Sequence, residues 1–299
     1  TKIIQQYTLE HKLPFNTVEP IIRRQDPLDT AAGAHIPGQG DIELFVDHKN
    51  KVVYKVGTAD RLTSYLVDYS VTVLAHNSGL NVAKPLAKPS QYGDYVVYAT
   101  SYMQHDPNGS PSPRTAGRAL ARLHSIQAKG IRTAISELGE LAAFVLNNCT
   151  LSPKERRAIE TRCLDCIDLV TSDMSSKTTL VHGDLHLGNI LPTAADPTLI
   201  DFEAAGSGSP LWDLAVLVQS SSRFGLDIAW VNNFLESWQT ESGQVINPKL
   251  LKAYVDWRLW YGVLSMLKRD HLDFGDAREL QVRRKWLNDP SDQSKWTRC

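Results

Sequence analysis

The 299-residue chain predicts an α+β protein of two unequal lobes, a small N-terminal antiparallel β-sheet lobe with one helix and a larger, mainly helical C-terminal lobe. Three observations carry this reading. The length exceeds the size at which one hydrophobic core usually keeps growing. Short runs rich in valine and tyrosine cluster before residue 107, each bounded by turn residues, whereas apolar positions at helical spacing dominate after it. The turn signal in Ser101–Gly109 then separates the two, so the boundary falls at about residue 107, giving segments 1–107 and 108–299.

Composition narrows the class. Apolar residues make up 42% and charged residues 22%, ordinary for a soluble globular protein. No apolar run is long enough to span a bilayer and the first residues lack a signal-peptide core, so a cytoplasmic location without membrane attachment is expected. Net charge is +2 over residues 1–150 and −3 over 151–299, with no basic stripe of the kind nucleic acid requires. Cys163 and Cys166 form a lone C-x-x-C inside a helical pattern with no second ligand pair following, which points to buried thiols rather than zinc or redox chemistry.

In chain order, a short helix and a first strand around 18–24 precede the glycine-bearing turn 33–40. Strand 42–46, a polar turn and strand 51–56 follow, and Lys55 falls at an inward position. Glycines such as Gly38 and Gly40 suit a plain turn between strands, or a turn whose backbone approaches phosphate without a side-chain clash, where Lys55 would supply a point charge. Helix 59–75 carries Leu62, Tyr65, Leu66, Tyr69 and Val73 on one face. No glutamate occurs between Glu43 and Glu137, so Asp68 is the carboxylate nearest Lys55. It lies about 120° from the centre of the apolar stripe, which leaves ion pairing and plain solvent exposure both open. Strands at 81–86 and 94–100 complete the sheet. Pro113 opens a helix containing Ala116, Leu120 and Leu123, with His124 read as a structural histidine. Another helix covers 136–147, and a third starts at the capping box Ser152-Pro-Lys-Glu155.

The stretch 178–215 carries the chemistry. Asp184 follows His182 by two residues, Asn189 follows Asp184 by five, and Asp201 lies twelve further on after an apolar run. A hydroxyl attacking a phosphate needs a carboxylate to take its proton, and the charged phosphate oxygens need a cation. Asn and Asp are hard oxygen ligands suited to magnesium, and a hairpin of strands 189–191 and 198–202 would carry both. The elements His182-Gly-Asp-Leu-His-x-x-Asn189, Ile200-Asp-Phe-Glu203 and Gly208-x-Pro-Leu-Trp-Asp213-Leu-Ala resemble the aminoglycoside phosphotransferase and choline kinase superfamily, over approximately residues 33–270. That resemblance implies a kinase-like fold with a nucleotide-binding first lobe and a catalytic, substrate-binding second lobe. It further implies ATP or GTP and Mg2+ as cofactors, Asp184 as catalytic base, Asn189 and Asp201 as metal ligands, Lys55 on the phosphates, and His182 and Asp213 as loop supports. The crossover backbone, including Thr100 and Tyr102, would line the base pocket.

The acceptor is less defined. Leu250, Tyr254, Trp257, Tyr261 and Leu264 recur at helical spacing, which suits a core face, while Glu203 with Trp257, Trp260 and Tyr261 would suit an amine. The sequence therefore predicts a small-molecule kinase acting on an amine-bearing acceptor in the manner of aminoglycoside phosphotransferases. A choline-, ethanolamine- or thiamine-type amino-alcohol kinase is the alternative. The missing glutamate keeps a nucleotide-binding pseudokinase as a further one.

Overall fold

The computed structural model describes residues 2–15, 17–20, 43–128, 131, 138–175, 179–193 and 196–297. The expected glycine turn, with Gly38 and Gly40, lies outside the described residues.

A five-stranded antiparallel sheet in the order β1-β2-β3-β5-β4 forms the first layer. Its strands are β1 (Glu19–Pro20), β2 (Glu43–Asp47), β3 (Val52–Thr58), β4 (Pro85–Tyr92) and β5 (Tyr95–Ser101). Side chains alternate across such a sheet, and the alternation sorts its two faces. Val52, Tyr54 and Val56 of β3 join Val97 and Ala99 of β5 on one face, covered by Ile4 and Tyr7 of α1 (Lys2–Glu10). The intervening Lys55 points to the other face, paired in register with Tyr98, where α2 (Leu62–Asn77) packs through Tyr65. β4 starts at Pro85, later than the expected strand at 81–86; Val82, three residues before it, forms only an isolated bridge to Leu199. Pro85 and Pro89 argue against a central strand, but β4 lies at a sheet edge with register shifts, where missing N–H donors cost little.

The buried stripe of α2 departs from the expected one. It consists of Tyr65, Asp68, Val71, Thr72 and Ala75, while Leu66 and Val73 are only half-buried. A carboxylate can occupy the centre of a buried face because it is paired and hydrogen-bonded there.

The chain leaves the sheet at Ser101 and enters the helical part at Pro113, the first residue of α3 (Pro113–His124). Then follow α4 (Leu138–Asn148), α5 (Pro153–Ala158), a π-helical turn at Ile159–Cys163 and α6 (Leu164–Ser175). The Ser152 capping box forms, with reciprocal bonds to Glu155. Two short two-stranded elements come next, β6 (Thr179–Val181) with β9 (Gly206–Gly208) and β7 (Ile190–Leu191) with β8 (Thr198–Leu199), before α7 (Leu211–Phe224), α8 (Ile228–Ser242), α9 (Pro248–His271) and α10 (Ala277–Asn288). The hairpin is shorter than expected, leaving Asn189 in a 3-10 turn and Asp201 just past β8. Cys163 and Cys166 are buried thiols, and burial pushes both up to about 12. Among the described residues no helix is long and apolar enough to cross a membrane.

α3 and α8 meet at Gly117, where an added Cβ would lie 2.5 Å from the Phe234 carbonyl oxygen. Both backbones are fixed, so Gly117→Ala should cost about 1–3 kcal/mol of stability, read by urea unfolding. An unchanged midpoint would show that the helices can separate without loss.

Candidate active site

Asp68 sits where sheet, helix and loop meet. Its Oδ2 accepts from Lys55 Nζ at 2.8 Å, and its Oδ1 accepts from Thr72 Oγ1 at 3.0 Å and from the Phe202 N–H at 3.2 Å. Lys55 also donates to Asp201 at 2.8 Å and to Glu203 at 3.3 Å. Burial alone would push the Lys55 ammonium down, but the three carboxylates hold it well above the ordinary lysine value. Burial also raises the Glu203 carboxyl, with Asp201 and Asp68 adding to the effect against the pull of Lys55. The open question over Asp68 is thereby answered in favour of pairing with Lys55.

Carboxylate oxygens of Asp68, Asp201 and Glu203 lie within 4.8 Å of one another. Lys55, with Arg61 reaching Glu203 at 3.4 Å, leaves this cluster with an excess of negative charge. Asn189 donates through Nδ2 to the Asp184 carbonyl at 2.9 Å, which leaves its amide oxygen available. Together these are hard oxygen donors of the kind a divalent cation takes. Asp201 adopts left-handed backbone angles, φ 70° and ψ 62°, a region aspartate tolerates better than most residues.

The loop bearing Asp184 is held from beneath. Asp213, fully buried on α7, accepts from the N–H groups of His182 (2.7 Å) and Gly183 (2.9 Å) and from His124 Nε2 (2.9 Å). The indole N–H of Trp238 donates to His124 Nδ1 at 3.0 Å, so His124 is the neutral tautomer that carries its proton on Nε2. Burial alone would raise the Asp213 carboxyl; the His124 bond, with the backbone donors of the loop, brings it below its ordinary 3.8. His182, itself fully buried, bonds through Nε2 to the Ile200 carbonyl at 2.9 Å and so links this loop to the one that bears Asp201. Gly183 has φ 89°, and a Cβ there would lie 2.0 Å from the Ala204 carbonyl oxygen, so no other residue fits. Its own carbonyl accepts from Trp212 Nε1 at 3.0 Å and from Arg258 Nη2 at 2.7 Å.

A cleft of about 1500 Å³ gathers Lys55, Asp68, Thr100, Tyr102, Asp184, Asn189 and Asp201 along its walls. The Asp184 side chain is exposed to it and makes no hydrogen bond among the described residues. The Tyr102 N–H is taken by the Lys51 carbonyl at 2.7 Å, whereas the neighbouring Met103, also on the wall, has its N–H unengaged among the described residues. Trp257 and Trp260 are not on the wall. They are 2% and 1% exposed, Trp257 packing on Trp212 and Trp260 on Trp286 in the helical core. Tyr261 lines the cleft, but Glu203 turns to Lys55 and Arg61, so the expected amine pocket does not assemble. Arg258 and Thr72 escaped the sequence reading. The spacing of Thr72 one turn beyond Asp68 was the available signal for one, and nothing local marked the other.

A cleft between a lysine-bearing sheet and an Asp/Asn-bearing helical floor is the layout of a kinase-type phosphotransferase fold. The profile of the phosphotransferase enzyme family (APH) matches residues 69–248, and the chain belongs to that family. Similar solved structures include spectinomycin phosphotransferase with ADP and spectinomycin (TM-score 0.63, 13% identity, 97% of this chain and 94% of that one). Macrolide 2′-phosphotransferase from Brachybacterium faecium also aligns (TM-score 0.59, 18% identity, 98% and 100%). So does a choline/ethanolamine kinase family protein from Mesorhizobium loti (TM-score 0.62, 17% identity, 84% and 87%). At such identities the likeness is one of fold. No curated protein sequence matches the chain.

Asp213→Asn replaces an acceptor of three hydrogen bonds with an amide whose N–H faces a donor, at a cost of about 1–3 kcal/mol. Because the folded carboxyl titrates below 3.8, the wild-type advantage should be complete above that pH and shrink as pH falls through the lower folded value. Thermal unfolding of both proteins at pH 7 and pH 3 measures it; a gap of equal size at both would exclude the ionised carboxylate as its source.

Proposed function

We propose that the protein is an ATP- or GTP-dependent, magnesium-requiring phosphotransferase acting on a hydroxyl of a small molecule. The observation that carries this is the convergence of Lys55, Asp184, Asn189 and Asp201 on one cleft. The acceptor oxygen attacks the γ-phosphorus as the bond from that phosphorus to the bridging oxygen breaks, and the nucleoside diphosphate leaves with the electron pair. Asp184 takes the hydroxyl proton, for which its unengaged carboxylate is placed. Lys55, held by Asp68, meets phosphate oxygens as a fixed charge. Met103 offers its backbone N–H to the base in place of Tyr102. Asn189, Asp201 and Glu203 are the residues that would hold Mg2+, which when bound neutralises charge on the phosphates.

Asp68 supplies the carboxylate whose absence as a glutamate favoured a pseudokinase, and that reading loses its reason. The amine-bearing acceptor, whether aminoglycoside-like or an amino alcohol such as choline, ethanolamine or thiamine, keeps Tyr261 on the cleft wall but loses Trp257 and Trp260 to the core.

Asp184→Asn should lower kcat by roughly 10²- to 10⁴-fold with nucleotide affinity retained. Steady-state assays beside nucleotide titrations test this; an unaffected rate removes Asp184 from the base role. Asp201→Ala should abolish the magnesium-dependent thermal stabilisation by a non-hydrolysable ATP analogue, which for a native-state ligand at a hundredfold excess is about 2.7 kcal/mol. Stabilisation that persists undiminished would move the metal elsewhere.

A further inference from the structure

We propose that the phosphoryl acceptor carries an oxyanion, a carboxylate or a phosphate group, received by the arginine-bearing face of α9; this rests on the phosphotransferase reading above. Residues 258, 262, 265 and 269 are spaced by four, three and four positions, so Arg258, Gly262, Ser265 and Arg269 share one helix face, and all four line the cleft. In the middle of that face Gly262 backs onto Trp296 and Arg283 and Ser265 supplies a hydroxyl, and the two ends are cationic.

Among the carboxylates of the cleft wall, Asp68 and Asp201 are paired with Lys55, while Asp106, Asp184 and Asp227 are exposed, Asp106 accepting from the Asn108 N–H and Asp227 from the Ala229 N–H. Among the arginines, Arg283 is spent on Glu279 and on the carbonyls of Gly262 and Thr297. Arg258 uses one nitrogen on Gly183, its Nε is buried without a hydrogen-bond partner among the described residues, and its ring-stacked guanidinium lies 4.4 Å from the Trp212 centroid. The Arg269 side chain makes no hydrogen bond or ion pair among the described residues. Eleven residues of helix span about 16 Å, so this wall offers a cation at each end to a compound whose hydroxyl lies at Asp184.

The test uses three probes of one carbon skeleton: gluconate, glucose 6-phosphate and glucosamine. Each is titrated by thermal shift into the full chain saturated with magnesium and a non-hydrolysable ATP analogue, then assayed for turnover with ATP. Gluconate or glucose 6-phosphate should stabilise the protein and glucosamine should not, and whichever oxyanion binds identifies a carboxylate or a phosphate acceptor. Arg269→Gln should weaken that binding by about tenfold, with Arg269→Lys retaining most of it. Stabilisation by glucosamine alone, silence from both oxyanions, or an oxyanion response undiminished in Arg269→Gln would overturn the proposal. A chain that fails to respond to the nucleotide analogue itself would instead sink the phosphotransferase reading.

Discussion

Asp68 is the joint on which the upper half of the site depends. One carboxylate holds the Lys55 ammonium, a threonine hydroxyl and the Phe202 backbone N–H, and so ties β3, α2 and the loop after β8 together. Its position is energetically demanding, because a buried carboxylate is tolerated only when fully satisfied. Satisfaction here requires all three elements in place at once. The arrangement of lysine and Asp201 is therefore a consequence of folding, present before any ligand arrives.

A second buried carboxylate does the corresponding work below. Asp213 gathers the two backbone N–H groups that precede Asp184, and its third donor, His124, is itself oriented by Trp238. The chain of contacts runs from α8 through α3 and α7 to the loop, using buried side chains of three helices as its support. The loop needs that support because Gly183 takes a backbone conformation with no room for a side chain.

Much of this was legible in the sequence because chemistry constrains spacing. The 182–213 pattern pointed to Asp184, Asn189 and Asp201, and strand alternation put Lys55 on the correct face of β3. Asp68 was half-legible. Periodicity placed it away from the apolar stripe, but the stripe was misplaced, since a paired carboxylate counts as core while hydropathy counts it as surface. Trp257 and Trp260 misled for the opposite reason. Aromatic rings suit a ligand wall and a helix interface equally, and only packing against Trp212 and Trp286 decides between them. Arg258 had no local signal at all, because its partner is a carbonyl 75 residues away.

That carbonyl, of Gly183, has a mechanical consequence. It receives Trp212 from α7 and Arg258 from α9, so the loop that presents Asp184 and the helix face across from it are pinned to one point. The lower jaw of the cleft is thus a single frame, and the bonds from Lys55 to Asp201 and from the Phe202 N–H to Asp68 fasten the sheet and α2 to it. Widening the cleft means breaking those charged contacts, so they are the latch that sets the distance between its two walls.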